Sequence, residues 1–206
     1  MTVYLELTRE FNAGRTRAIL CNGQAVALLR LAIASKDGDW ILREDEEALS
    51  HVRSVLARHG AQYRFGAPLD LDWLRGGWSA HLEFPWHGLR VRTDFSTRPP
   101  RLSGAELEEL WAQQDQRDIP FTPPKPLLRI KQTGREKDWP IVGELARLLT
   151  DPGEQILYSR SPQDILRLLA DHPSLAGELT LRRPALAAAK GGLAALRMAL
   201  DQDATS

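Results

Sequence analysis

Between residues 17 and 42 the pattern of apolar and polar positions changes period twice. A short apolar run comes first, and the turn signal Asn22-Gly23 follows it. Good helix formers come next, and then a run that is polar at first and apolar afterwards. The pattern predicts a strand over 18–21, a turn at 22–23, a helix over 24–31 and a second strand over 37–42.

The rest of the chain divides into a mixed part and a helical part. Apolar residues recur with a helical period or alternate as in a strand. They predict helices over 3–13 and 46–59, strands over 61–65, 78–84 and 89–95, and then helices over 104–117, 125–135, 140–150, 161–171 and 184–202. The proline-rich stretch 120–126 predicts a hinge, so we expect an α+β core over 1–119 and a helical region over 120–206.

Two carboxylates open the second strand of this segment. Residues i and i+2 of a strand point to the same face, so Asp37 and Asp39 would lie side by side and repel each other. A divalent cation such as Mg²⁺ would explain the pair, because it takes oxygen ligands from carboxylates and from substrate phosphates. The preceding turn suits a phosphate: Gly23 lets the backbone come close, Asn22 tolerates a positive φ, and a helix N-terminus favours an anion.

Composition narrows the classes of protein but does not select one. The chain has 206 residues, 43% of them apolar, which is enough for a substantial core. Its 27 basic and 27 acidic residues balance, so any nucleic-acid contact must come from a local patch. The single cysteine, Cys21, favours a reducing compartment. Since the first residues lack a signal-peptide pattern and no apolar run could span a bilayer, we expect a cytoplasmic protein without membrane contact.

Two motifs resemble known families. The segment Asn22-Gly23-Gln24-Ala25-Val26-Ala27-Leu28, followed by Ser35-Lys36-Asp37-Gly38-Asp39-Trp40-Ile41, looks like the first motif of the nucleotidyltransferase superfamily, in its minimal and abortive-infection-type branch. Asn22 stands where that motif usually has a glycine. The segment Arg129-Ile130-Lys131-Gln132-Thr133-Gly134-Arg135-Glu136-Lys137-Asp138 resembles a later motif of the same families, whose cations face the nucleotide. Lys131 and Arg135 are spaced i and i+4, as on one helix face.

The resemblance implies an α+β nucleotidyltransferase-like fold with a small mixed sheet, packed helices and a helical C-terminal region. It implies magnesium-dependent transfer of a nucleoside monophosphate from an NTP, ATP among them, to a hydroxyl of RNA, including tRNA, or of a protein. Relatives include toxins of toxin–antitoxin and defence systems, so an antitoxin partner is also implied. The implied site consists of catalytic and metal-binding Asp37, Asp39 and Asp94, with one or two Mg²⁺ ions, and of nucleotide-binding Asn22, Gly23, Lys131 and Arg135.

Other interpretations stay open at this level. An inactive nucleotidyltransferase-like binding or antitoxin-like protein is one, and Asn22 in place of glycine supports it. A metal-dependent nuclease could use the same acids. Asp70-Leu71-Asp72 repeats the acidic pattern without the preceding strand, turn and helix, so we expect it to cap a turn.

Three further groups have alternative interpretations. His81, Glu83 and His87 could bind zinc, but their spacing favours ordinary strand and loop chemistry. The tryptophans 73, 78 and 86 favour packing over a base-stacking platform. The arginines 90, 92, 98 and 101 would surround Asp94, either in solvent or against phosphates.

Overall fold

The computed structural model describes residues 2–32, 35–133, 135 and 138–203. The chain divides into two compact units, Met1–Ile130 and Lys131–Ser206. The predicted division after residue 119 stays a prediction about domains. By contacts, residues 120–130 belong to the first unit, because Pro120 and Thr122 form backbone hydrogen bonds with Leu20.

In the described residues of the first unit, the strands form one five-stranded mixed sheet. The strands are β1 (Ala18–Cys21), β2 (Asp37–Leu42), β3 (Gln62–Gly66), β4 (Ala80–Trp86) and β5 (Leu89–Ser96). Their order in the sheet is β1-β2-β5-β4-β3. The β2 and β5 strands are parallel, and the other neighbouring pairs are antiparallel. Strands distant in sequence therefore meet at the centre of the sheet.

Helices cover the sheet and continue through the second unit. In chain order they are α1 (Thr2–Phe11), α2 (Asn22–Leu28), α3 (Glu46–Arg58), α4 (Leu71–Arg75), α5 (Gly104–Gln114), α6 (Pro124–Lys131), α7 (Trp139–Arg147), α8 (Pro152–Tyr158), α9 (Pro162–Asp171), α10 (Ala176–Arg182) and α11 (Gly192–Gln202). This architecture confirms the predicted α+β class, with a small mixed sheet, packed helices and a helical C-terminal region. None of the helices within the described ranges is both long and apolar enough to cross a bilayer.

The main core lies between one face of the sheet and the helices α1 and α3. Trp40 on β2 and Phe95 on β5 are fully buried and stack with ring centroids 5.5 Å apart. Phe11 of α1 meets both rings edge-on. Since side chains alternate along a strand, this packing turns Asp39 and Asp94 towards the opposite face.

The opposite face carries a smaller core beside β1. Ile19 and Cys21 of β1 pack there with Ile41 of β2 and with Leu110 and Trp111 of α5. The β1 strand is thus buried on both faces, as its continuous apolar run predicts. Beyond this cluster, the same face continues into polar residues of β2, β4 and β5.

Several helix boundaries differ from the sequence prediction. The predicted helix 184–202 is a 3₁₀ segment, Pro184–Gly191, followed by α11, because Gly192 has φ 82°. The helix predicted over 125–135 ends at Lys131, and its Gly134 lies outside the described residues. The short helices α8 and α10 were not predicted, since seven residues are too few to show a clear period.

Candidate functional site

The parallel pairing of β2 and β5 brings two of the three predicted acids together. Asp39 is the register partner of Asp94, and Asp37 is the partner of Arg92. Neighbouring strands lie about 4.8 Å apart, and directly paired residues point to the same face. Asp37, Asp39 and Asp94 therefore share one face of the sheet, as the sequence predicted for the first two.

Asn22 orients Asp39. The Nδ2 atom of Asn22 donates a hydrogen bond of 3.0 Å to Oδ1 of Asp39. Asn22 follows directly after Cys21, the residue that pairs with Asp39 across β1 and β2, and it has φ 49°. The positive φ predicted for Asn22 is confirmed. The residue that departs from the glycine of the motif thus contributes a side-chain contact that glycine could not make.

Asp94 is held by residues of β3 and β4. Nδ1 of His81 donates to Oδ1 of Asp94 at 2.7 Å. Nη1 of Arg64 lies 3.8 Å from the same oxygen. The sequence analysis weighed His81, Glu83 and His87 as a zinc site and favoured ordinary strand and loop chemistry, whereas in the structure His81 is the partner of Asp94. The antiparallel register of His81 with Asp94 explains the contact, and the two-residue turn His87-Gly88 between β4 and β5 sets that register.

The carboxylate of Asp37 has weaker contacts than those of Asp39 and Asp94. Its Oδ1 atom is buried and forms no hydrogen bond with any described residue, and Nη1 of Arg92 lies 3.8 Å away. Tyr4 donates to the carbonyl oxygen of Lys36 at 2.6 Å. Burial raises the pKa of the Tyr4 phenol, and the negative charges of Asp37 and Asp39 raise this pKa further. The charges of Asp37 and Asp39 are therefore felt at the Tyr4 phenol of α1.

Two glycines in this segment allow neighbouring side chains to lie close to the backbone. A Cβ atom on Gly38 would lie 2.5 Å from ring atoms of both Tyr4 and Trp40. A Cβ atom on Gly23 would collide with the side chain of Ser35. Ser35 therefore occupies the space beside Gly23 that the sequence interpretation left for a phosphate. Its predicted phosphate contact stays a prediction.

A cavity of about 180 Å³ opens beside the paired acids. Asn22, Asp39, His81 and Asp94 line it, together with Ser79. It therefore combines two carboxylates with a hydrogen-bonding amide, an imidazole and a hydroxyl. Such a set can bind a cation or a phosphorylated ligand and can accept a proton.

The fit to Mg²⁺ is partial. In the part of the chain that the structure describes, no three His, Cys, Asp or Glu side chains gather where they could hold a metal ion. The predicted three-carboxylate site is thus not preformed there. The buried, unbonded oxygen of Asp37 does fit a cation, and Mg²⁺ commonly takes one or two carboxylates and completes its shell with substrate phosphates and water.

The second motif has a different geometry from the one its spacing indicates. Lys131 is the last residue of α6 and Arg135 lies outside the helix, so the predicted common helix face is wrong. Both cations meet Asp138 instead: Nζ of Lys131 lies 3.8 Å and Nε of Arg135 lies 3.0 Å from its carboxylate. Asp138 precedes α7 but makes no side-chain cap hydrogen bond, so it only holds the two cations and the hydroxyl of Thr133. Glu136 and Lys137 of this motif lie outside the described residues.

The four arginines predicted around Asp94 mostly contact other acids. Arg92 faces Asp37, and Arg90 lies 3.9 Å from Glu83. Arg98 forms two hydrogen bonds to Glu44, and these bonds lower the pKa of the Glu44 carboxyl. Arg98 also lines the cavity that Asp94 lines, and the guanidinium of Arg64, which the sequence analysis did not single out, lies 3.8 Å from Asp94.

Comparisons with known proteins give one similarity. No protein-family model matches the chain, and no curated protein matches it. Among solved structures, it is similar to a crystal structure from H. pylori that is described as a candidate nucleotidyltransferase. The two chains are 12% identical, and the match covers 98% of this chain and 94% of the other, with a TM-score of 0.48.

Proposed function

We propose that this protein transfers a nucleoside monophosphate from an NTP to a hydroxyl group of an RNA or protein acceptor. The observation that carries the proposal is the pairing of Asp39 with Asp94 on parallel strands beside a polar cavity. The order of strand, turn, helix and acidic strand agrees with the first nucleotidyltransferase motif that the sequence resembles.

The reaction would be an in-line displacement at the α-phosphate. The acceptor oxygen forms a bond to the α-phosphorus while the bond from that phosphorus to the bridging oxygen breaks. Pyrophosphate leaves with the electron pair, and the hydroxyl proton passes to the Asp94 carboxylate or to water. Catalysis comes from positioning and from charge neutralisation, because the protein needs no covalent intermediate.

Mg²⁺ is proposed as the cofactor. Asp37 and Asp39 would bind it and Asp94 would complete the site, with room for a second ion only once the nucleotide supplies further oxygens. When bound, the ion supplies positive charge to the triphosphate. The unbonded Oδ1 of Asp37 supports this assignment, whereas Asn22 and His81 already orient the other two carboxylates.

The remaining predicted residues would bind the nucleotide. Gly23 is proposed to approach a phosphate through its backbone, and Asn22 would hold Asp39 in place for the same ligand. Lys131 and Arg135 would supply positive charge to the triphosphate. Their convergence on Asp138 supports a local cationic group that an anionic ligand can share.

Label transfer tests the proposal. Wild-type protein is incubated with each α-labelled NTP, magnesium and either total RNA or total protein. We expect label to enter one acceptor with wild type and to be lost with Asp39→Ala. Transfer that persists in Asp39→Ala would exclude this site. Cleavage of nucleic acid without any NTP would favour the nuclease.

A binding protein without transferase activity is the second candidate. It is favoured because Asp39 and Asp94 already have hydrogen-bond partners and because the described residues form no three-ligand metal cluster. It predicts no label transfer with any NTP. An inactive protein that binds NTP would still show magnesium-dependent NTP binding by calorimetry. An antitoxin-like protein would show neither label transfer nor NTP binding.

The toxin or defence role rests on the sequence resemblance alone. If it is right, induced expression in a bacterial host should arrest growth, and Asp39→Asn should relieve the arrest at equal protein level. A cognate antitoxin would bind the wild type and relieve the arrest as well. Normal growth on expression of an active enzyme would exclude the toxin role and leave the transferase proposal intact.

A further inference from the structure

The edge strand β3 contains an irregularity next to the candidate site. Tyr63 pairs with Leu82 and Phe65 pairs with His81, so Arg64 is the extra residue between two consecutive partners on β4. A bulge of this kind sets two residues against one and redirects their side chains, and bulges are over-represented beside active sites. It explains why two consecutive residues, Arg64 and Phe65, both reach the His81 side of the sheet.

The contacts of these two residues lead directly to the paired acids. The Phe65 ring stacks on His81 with centroids 4.3 Å apart, and His81 donates to Asp94. The guanidinium of Arg64 lies 4.9 Å from the Phe65 ring centroid, 3.4 Å from Glu83 and 3.8 Å from Asp94. Gly66 makes room for this arrangement, because a Cβ atom there would lie 2.7 Å from His81.

Phe65 is nevertheless open to solvent. It is 57% exposed, which is unusual for a phenylalanine. Its ring is nevertheless oriented by stacking on His81 and by the guanidinium of Arg64.

Two strands away from Phe65, Arg90 and Arg92 lie on the same face of β5 as Asp94, since they alternate with its buried residues. The side chain of Arg90 is 68% exposed, and its Nε atom lies 3.9 Å from Glu83.

We infer that Arg64, Phe65, Arg90 and Arg92 form the acceptor surface, and that the acceptor is a single-stranded RNA whose end stacks a base on Phe65. This inference rests on the proposed transferase function. An oriented ring beside guanidinium groups suits a base and its neighbouring phosphates, because stacking is tolerant of sequence and arginine contacts the backbone. A base on Phe65 would place its own sugar beside His81, at the mouth of the cavity that Asp39 and Asp94 line.

A protein acceptor fits these features less well. Protein interfaces depend on well-packed apolar anchors that exclude water. Here the exposed ring lies against the guanidinium of Arg64 and stacks on His81, which in turn contacts Asp94. An electrostatic contact of this kind is salt-dependent and suits a polyanion.

The test measures RNA binding separately from catalysis. Fluorescence anisotropy with a labelled single-stranded RNA of about eight nucleotides is recorded without NTP or magnesium. A duplex of the same sequence is the competitor. We expect Phe65→Leu to weaken binding about tenfold, and Phe65→Tyr to restore it. Arg90→Gln should lower the slope of log affinity against log salt by about 0.7.

Tyr63→Leu is the matched control. Tyr63 lies on the same strand and is 54% exposed, but it pairs with Leu82 of the core face and its hydroxyl accepts a hydrogen bond from the N–H of Leu69. Its replacement should lower thermal stability but change RNA affinity less than about twofold. A 3′-terminal 5-iodouridine in the same RNA should crosslink to the β3 segment of the wild type. Equal affinity of Phe65→Leu and wild type, equal binding of duplex, or crosslinks elsewhere would overturn the inference.

Label transfer separates this inference from the proposed function. If wild type labels only protein, the RNA inference is overturned and the transferase proposal stands. If wild type labels nothing but RNA binding still depends on Phe65, the transferase proposal fails and the RNA surface stands. If RNA is labelled and Phe65→Leu raises KM for RNA without a matching loss of kcat, both are supported.

Discussion

Asp37-Gly38-Asp39 and Asp70-Leu71-Asp72 have the same spacing of carboxylates but lie in different secondary structure. The first segment is in strand β2, where i and i+2 side chains share a face. The second spans the start of α4, where i and i+2 side chains point to different sides. Oδ1 of Asp70 accepts a hydrogen bond of 3.0 Å from the backbone N–H of Asp72, which is an N-cap contact.

The difference shows that the spacing of two acids alone does not identify a candidate site. The residues that the neighbouring strands bring to the acids must be known as well. Asp39 pairs with Asp94 across β2 and β5, and it accepts a hydrogen bond from Asn22, which directly follows β1. Asp70 uses its carboxylate to satisfy a helix N-terminus, as the sequence interpretation of this segment predicted. Asp39 therefore lines the polar cavity with Asp94, whereas the carboxylate of Asp70 stabilises the start of a helix.

The largest expected contrast is catalytic. Asp39→Asn keeps the shape of the side chain but removes the charge, so we expect label transfer to fall by about a thousandfold. Asp72→Asn, the equivalent change in the exposed second segment, should leave transfer within about twofold. Initial rates under saturating NTP measure both. Comparable losses in the two variants would mean that the strand pair has no special role.

The middle residue of the first segment, Gly38, provides the next test. Gly38→Ala places a methyl group against the Tyr4 and Trp40 rings, so it should lower the free energy of unfolding by about 2–3 kcal/mol. Gly104→Ala is the matched control, because a Cβ atom at Gly104 meets nothing within 4 Å. Urea denaturation should show that control to be neutral or slightly stabilised. An unchanged midpoint for Gly38→Ala would contradict the observed close approach.

Asn22 gives a smaller effect that tests its hydrogen bond to Asp39. Asn22→Gly preserves the positive φ but removes the Nδ2 donor, so we expect about tenfold slower transfer at unchanged thermal stability. Asn22→Asp is a useful comparison, because it retains tolerance of φ 49° while it adds a repelling charge beside Asp39. A rate for Asn22→Gly equal to that of wild type would make this contact dispensable.

Local structure was predictable wherever the pattern was long or the cap was explicit. The helix α3 is predicted by its apolar period, and Asp45 caps it by accepting a hydrogen bond from the N–H of Ala48. The strands β1 and β2 also lie where the pattern places them. Each of these signals is contained in a few consecutive residues.

Contacts that depend on strand order could not be predicted in this way. The chain connects β4 to β5 directly, but β2 pairs with β5 across more than forty residues of sequence. The approach of Arg64 to Asp94 does not follow from sequence spacing either, because it depends on the irregular pairing of β3 with β4. The pairing of Asn22 with Asp39 similarly needs both the β1–β2 register and a positive φ, so Asn22 looks in sequence like a simple departure from a glycine motif.

The smallest effect concerns the second acidic segment alone. Asp70→Ala removes the cap of α4 and should lower the free energy of unfolding by about 1 kcal/mol. Asp70→Ser should recover most of that loss, since a serine hydroxyl can accept the same N–H. Label transfer should be unchanged in both variants, because Asp70 does not line the cavity beside Asp39 and Asp94. If Asp70→Ala slowed transfer as much as Asn22→Gly does, the two segments could no longer be assigned separate roles, and the distinction between the paired strand carboxylates and the helix cap would fail.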